Sequence, residues 1–366
     1  MPDCSHQIPE NIIKPAVSET ADKIFSAVPG MVFHGILRHV EAGRNICLEG
    51  TWGFALAFYS WLKKRVSGSV PATDYHSSRR QLSELRRLQS SVWVRISKGS
   101  VDLKKAPENP WLRQFYPERE KFLIRLSDLL GMNGSWQWYK KGIEYAVIDH
   151  PIHPFYGVYF PTRTEHLTLF DSWLRDKSAG FKRAYDIGAG CGVLSFIMKR
   201  RGIENVVATD INPNAVFSIN CDLSRLRAEG KSTGIIAEKT DLMGEHLASA
   251  NDLVVCNPPW IPAKPEKTMD YGSYYPPGFY DRLFGEFKQK CAYGATIAII
   301  FSDFAYAAGI SKTHPVYEAI KAHDNHFSIL TSEKAAISQR TSSKGKSWIN
   351  AVRQKENLEL FILRRV

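Results

Sequence analysis

Asp186-Ile-Gly188-Ala-Gly190-Cys-Gly192 leaves an apolar run at 184–187 and enters a second apolar stretch with helical spacing. A chain turning this sharply needs residues that tolerate positive φ and carry no Cβ where a ligand approaches. Glycine supplies both, and the helix that follows offers free N–H groups at its first turn. A dinucleotide fingerprint starting at Gly188 would place a third glycine or alanine at position 193, which is Val193. The spacing is instead G-x-G-x-G, with an acid two residues ahead of it.

Outward from this turn, strand-like runs at 184–187, 206–209, 234–238, 253–256, 295–301, 327–330 and 358–363 alternate with helical segments beginning near Gly190, Pro213, Pro277 and Pro315. Such alternation predicts an α/β fold with a doubly wound, mainly parallel, seven-stranded sheet. Asp210 lies 20 residues beyond Gly190, at the end of the second run, where an acid can accept from ribose hydroxyls. Asp241 follows the third run, placed either to accept from an adenine amino group or to cap a helix.

The fourth run closes on Asp252-Leu-Val-Val-Cys-Asn257-Pro258-Pro259-Trp260. Two prolines directly after a strand fix a rigid, non-helical backbone and donate no N–H groups. An amide side chain, free carbonyls and a flat aromatic face are thereby set side by side. That set suits methylation of a planar nitrogen, whose delocalised lone pair makes it a poor nucleophile. Holding its N–H groups with the Asn257 side-chain oxygen and the Pro258 carbonyl favours a pyramidal nitrogen. Alignment and electrostatics, more than a general base, would carry such a reaction. Trp260 would stack on the planar group.

At these residues the chain resembles the class I S-adenosylmethionine (SAM)-dependent N-methyltransferases whose motif is N-P-P followed by Tyr, Phe or Trp. These include HemK-type glutamine methyltransferases and small-domain ribosomal-RNA guanine-N2 methyltransferases. The resemblance covers roughly 155–366 and implies a Rossmann-like methyltransferase sheet, with SAM as cofactor and S-adenosylhomocysteine as product. By it, Asp186, Gly188, Gly190, Gly192, Asp210, Asp241 and Asn257 would bind the cofactor, and Asn257, Pro258 and Trp260 would serve the acceptor. Gly157-Val-Tyr-Phe-Pro161-Thr-Arg-Thr164-Glu165 is similar to a family segment that closes over the cofactor, which implies contacts from Thr162, Thr164 and Glu165. Trp260 stands where the glutamine methyltransferases usually carry Tyr. Residues 1–150 match no substrate-recruiting domain.

That N-terminal part is expected to be a mostly helical accessory domain that helps choose the substrate. Helices are expected near 54–66, 79–95 and 118–131, and β-like runs at 145–148 and 156–160 between the domains. The chain of 366 residues carries a formal charge of +11, and 61–105 hold eleven Lys or Arg against three acids. In 79–95, Leu82, Leu85, Leu88 and Val92 share one helical face, with Arg79, Arg80, Arg86 and Arg87 opposite. Those arginines either meet phosphate or form a solvated face. A second basic, polar stretch spans 338–347.

With mean hydropathy −0.26 and no apolar run near 18 residues, no membrane span is expected. The N-terminus does not read as a signal peptide. Six cysteines, none in C-x-x-C spacing, suggest neither a zinc site nor a disulfide framework, so a cytoplasmic protein is expected. His150 and His153 form an H-x-x-H pair with no further ligand in view, so no metal is expected. Five aromatics in 270–280 either cap a ligand or pack against the N-terminal domain. The expected activity is N-methylation of an RNA base amine or a protein side-chain amide. A small-metabolite acceptor and a non-catalytic SAM-binding scaffold are the alternatives.

Overall fold

The computed structural model describes residues 8–19, 24–265, 268–336 and 348–366, so the 338–347 stretch lies outside the described residues. The chain forms two compact units. One is Lys14–Gln137, and the other joins Trp138–Val366 to the residues up to Ile13. The division thus falls at Gln137, ahead of the expected 150.

Helices hold much of Lys14–Gln137, but they pack on a layer that the expectation of a mostly helical unit did not include. Its sheet runs in the order Val17–Ser18, Lys121–Arg125, Val92–Ser97, Ile46–Leu48, Phe25–Ala27, with Ser100–Val101 pairing off Val92–Ser97. The helix expected over 79–95 is Tyr75–Gln89, closed at its start by a reciprocal capping box between Asp74 and Ser77. It stops before Val92, which opens a strand burying Val92, Val94 and Ile96 on one face. The helix expected over 118–131 likewise divides into the strand Lys121–Arg125 and the helix Leu126–Lys141.

Trp138–Val366 contains the expected doubly wound sheet. Its strands are β1 (Arg183–Ile187), β2 (Asn205–Asp210), β3 (Ile235–Lys239), β4 (Asp252–Cys256), β5 (Thr296–Ser302), β6 (Phe327–Ala336) and β7 (Asn357–Arg365). Their order is β6-β7-β5-β4-β1-β2-β3. All pairs are parallel except those of β7, which runs antiparallel to both β5 and β6. β4 and β5 are buried along their whole length, and β1 from Ala184 to Ile187. On one face, the helix Phe279–Lys290 sets Leu283, Phe284 and Phe287, all fully buried, against Val254, Ile297 and Phe361. Truncating either phenylalanine to Ala should cost about 3–5 kcal/mol. Strand order reverses between β1 and β4, so their C-terminal ends open a crevice, the usual ligand position in such sheets.

The runs at 145–148 and 156–160 are not strands. Between them lie Pro151 and Pro154, which cannot donate to a ladder, and Gly157 turns at φ 71°. Only an isolated antiparallel bridge, Ile143 to Ile152, survives there. The segment is instead strapped along the helix Pro213–Ala228. The Phe155 N–H donates to Ser218 Oγ (3.0 Å), and Asn214 Nδ2 donates to the Tyr156 carbonyl (2.7 Å). That strap delivers Gly157 and Tyr159 to the crevice. Among the described residues, no helix is long and apolar enough to cross a membrane.

Candidate active site

The glycine turn after β1 adopts positive φ at all three glycines: 71° at Gly188, 54° at Gly190 and 79° at Gly192. The three have different neighbours. A Cβ on Gly188 would meet nothing within 4 Å, so its backbone opens on free space. On Gly190 it would lie 3.0 Å from the Tyr159 carbonyl oxygen, and on Gly192 2.9 Å from Ile219 Cγ1. Gly192 is the N-cap of the helix Val193–Arg200 and packs inward. The Cys191 N–H donates to the Tyr159 carbonyl (3.0 Å), tying the turn to the 155–160 strap. Burial pushes the Cys191 thiol up to about 12, which fits a space-filling rather than nucleophilic role.

The acids divide as well. Asp186 is buried beneath the turn, where Oδ2 accepts from the Ser195 N–H (2.9 Å) and hydroxyl (2.6 Å). It does not line the crevice. Asp210 does. Its Oδ2 accepts from the Gly190 N–H (2.8 Å) and its Oδ1 from the Asn212 N–H (2.8 Å), while burial pushes its carboxyl up. Asp241 also lines the crevice, half-exposed and paired with Arg282 at 2.5 Å.

Together these elements enclose a cavity of about 400 Å³ between the glycine turn and the end of β4. Gly188, Gly190, Asp210, Asp241, Asn257 and Pro258 all line it. Asn257 Oδ1 is buried there with no hydrogen-bond partner. Such an atom is costly until something donates to it. From the aromatic loop, Tyr271, Tyr274 and Phe279 face this cavity. Tyr280 turns inward, and its hydroxyl donates to the Pro259 carbonyl (3.0 Å). Parallel pairing of Ile261–Pro262 with Tyr274–Tyr275 fastens the loop to the Asn-Pro-Pro-Trp segment.

Trp260 and Thr162 line a second cavity of about 250 Å³, which adjoins the first through Tyr159 and Gly272. Thr164 and Glu165 line neither cavity. They start the helix Glu165–Arg175, where Glu165 accepts from the Thr164 N–H (3.1 Å). His150 bonds Asp149 and His153 bonds the Tyr139 carbonyl, so each imidazole has a protein partner.

A glycine turn and an Asn-Pro-Pro loop thus meet at the strand-order reversal, and the family model described as "Methyltransferase small domain" matches residues 168–270. Residues 168–270 are thus similar to a methyltransferase domain. A Methanocaldococcus jannaschii protein named as a protein N5-glutamine methyltransferase is 29% identical over 128 residues, 35% of this chain and 59% of that one. A ribosomal protein L11 methyltransferase of Levilactobacillus brevis is 28% identical over 151 residues, 40% of this chain and 43% of that one. The chain therefore spans only about half the length of these relatives. A ribosomal protein L11 methylase structure from Lactobacillus delbrueckii subsp. bulgaricus aligns over 57% of this chain and 82% of its own, at 15% identity. Its TM-score of 0.35 is too low to bear on the fold.

The first cavity suits the cofactor that the sequence leads one to expect. A carboxylate, Asp210, stands at the end of β2, an open glycine backbone follows β1, and an unpartnered amide oxygen follows β4. Several lining residues of the methyltransferase domain carried no signal in the sequence. Asn212 holds the Gly157 carbonyl (2.9 Å), and Ile13 reaches the cavity because Asn214 bonds both its N–H and its carbonyl at 2.7 Å.

Proposed function

We propose that the protein methylates a planar nitrogen, an RNA base amine or a protein side-chain amide, using SAM bound in the first cavity. The observation that supports this most is Asn257 Oδ1, a buried acceptor with no partner, in the lining of the first cavity and three residues before Trp260, which lines the second. When bound, SAM supplies an electrophilic methyl on a positively charged sulfur. The N–C bond forms as the S–C bond breaks, the positive charge passes to nitrogen, and a proton then leaves nitrogen for solvent. In this reading, Asn257 and the Pro258 carbonyl hold the acceptor N–H groups while Trp260 sets the plane. Gly188, Gly190, Asp210 and Asp241 hold the cofactor. Asp186 and Gly192 shape the turn from beneath, and Thr162, Thr164 and Glu165 act from its upstream side.

For RNA as the acceptor, the basic helix offers mixed support. Arg80 and Arg87 are exposed, but Arg87 is paired with Glu84 at 2.8 Å, and Arg79 and Arg86 are half-buried. Transfer of labelled methyl from SAM into fractionated RNA, protein and small-molecule extracts tests the reading. Label should enter RNA or protein, and Asn257→Ala should abolish it while leaving SAM affinity within about twofold. Label confined to small molecules would move the acceptor to a metabolite. Loss of SAM binding together with turnover would give Asn257 a folding role.

A further inference from the structure

The second cavity has a chemistry of its own. Arg163, His166, Trp260, Arg353 and Glu356 line it. Four of their polar atoms are buried without a partner: Arg163 Nη1, both ring nitrogens of His166, and Trp260 Nε1. Folded proteins seldom leave such atoms unpaired, and a cluster of them around one cavity marks a place where a polar ligand completes the bonding. His166 is 2% exposed and stands edge-on to Trp260, with ring centroids 5.8 Å apart. Burial pulls it down to about 4, so it is neutral at physiological pH and offers one donor and one acceptor.

The charges are unequal. Burial, and then the nearby charge of Arg163, pull the Arg353 guanidinium below its ordinary value, which places the two cations in each other's field. Among the described residues, Glu356 is the one carboxylate lining the cavity, and it already accepts from the Ser302 hydroxyl at 2.6 Å. Burial pushes Glu356 up, against the pull of that bond and of both arginines. Glu165 also acts on Arg353, and Asp303 on Glu356, but neither lines the cavity, so among the described lining residues two guanidiniums stand against one partly committed carboxylate. A buried guanidinium N–H is best satisfied by an anionic oxygen.

We propose that this second cavity is the acceptor pocket and that it selects an acceptor carrying a small anionic group, carboxylate or phosphate, beside the planar nitrogen. Arg163 and Arg353 take the anion, while Trp260 Nε1 and His166 bond the polar edge of the group that Asn257 aligns. The proposal rests on the methyltransferase reading, since it needs the acceptor nitrogen to lie at Asn257.

Calorimetry on the full chain saturated with S-adenosylhomocysteine separates the two. Inorganic phosphate and sodium acetate are the probes, which distinguishes a phosphate-bearing from a carboxylate-bearing acceptor. One of them should bind, and Arg163→Gln and Arg353→Gln should each weaken it by at least about tenfold while S-adenosylhomocysteine affinity holds. Arg353→Lys should recover part of the loss for phosphate and less for acetate, because it keeps the charge without the fork. Equal binding by wild type and both Gln variants, or no binding of either anion, would overturn the proposal. So would loss of the product's affinity in the variants, which would assign the arginines to the cofactor. If S-adenosylhomocysteine does not bind the wild type at all, the methyltransferase reading itself fails.

Discussion

Asp186 accepts from both the backbone N–H and the hydroxyl of Ser195, at 2.9 and 2.6 Å, with its other oxygen buried and unpartnered. The acid ahead of the glycine turn thus anchors the first turn of the following helix from below. Burial pushes its carboxyl up to about 6, partly opposed by the two Ser195 bonds, with Asp210 adding to the rise. A carboxyl raised on folding holds its proton longer in the folded state. Its contribution is therefore present below the unfolded value of about 4 and lost as pH rises through about 6. Urea unfolding across that window should show wild type losing stability relative to Asp186→Asn, by on the order of 2 kcal/mol. A pH-independent difference would contradict this placement.

The glycines should separate by readout. Gly192→Ala meets Ile219 at 2.9 Å with φ 79°, so it should cost about 1–3 kcal/mol of stability. Gly188→Ala meets no protein atom, so backbone strain of about 1 kcal/mol is its main stability cost. Gly188 lines the first cavity, however, and SAM affinity should drop at least about tenfold. Thermal melts and calorimetry on both variants check the contrast, and an equal stability loss would refute it.

Asp210 and Asp241 should also part company. Asp210→Ala strands the N–H groups of Gly190 and Asn212, so stability and SAM affinity should fall together, the former by about 1–3 kcal/mol. Asp241→Ala breaks only a half-exposed pair with Arg282, and its stability should stay within about 0.5 kcal/mol. Any large effect of Asp241→Ala should appear in SAM binding alone.

His166 is held well below the usual imidazole range, at about 4, by burial. A base lowered on folding contributes stability above its unfolded value near 6.5, and that stability is lost as pH falls toward 4. His166→Phe keeps a ring beside Trp260 and removes two unpaired nitrogens. At neutral pH the variant should equal or exceed wild-type stability, lose the acid-side slope, and transfer methyl more slowly. A variant that is less stable and fully active would place His166 among ordinary core residues.

The methyltransferase unit was readable because its signals are local. Gly188, Gly190 and Gly192 form one turn, Asn257 to Trp260 one loop, and each of the seven strands carries its own apolar run. Asp186 shows where that reading stops: spacing puts an acid before the turn but does not say which way its oxygens face. Tyr159, Asn212, His166 and Ile13 reach the cavities through contacts between distant segments, which leave no period in the sequence. In the N-terminal unit, Val17–Ser18, Phe25–Ala27 and Ile46–Leu48 are two or three residues long, too short to show alternation. Their pairing partners lie tens of residues away.

The double hydrogen bond between Asn214 and Ile13 joins residues 201 apart, with the whole of Lys14–Gln137 threaded between them. During synthesis, Ile13 is made long before the helix that captures it. Ile13 can therefore take its place in the cavity lining only once the Pro213–Ala228 helix exists to receive it. Cutting the chain at 138 would free a fragment with the glycine turn and Asn257 intact, yet without Ile13, which lines the cavity they share.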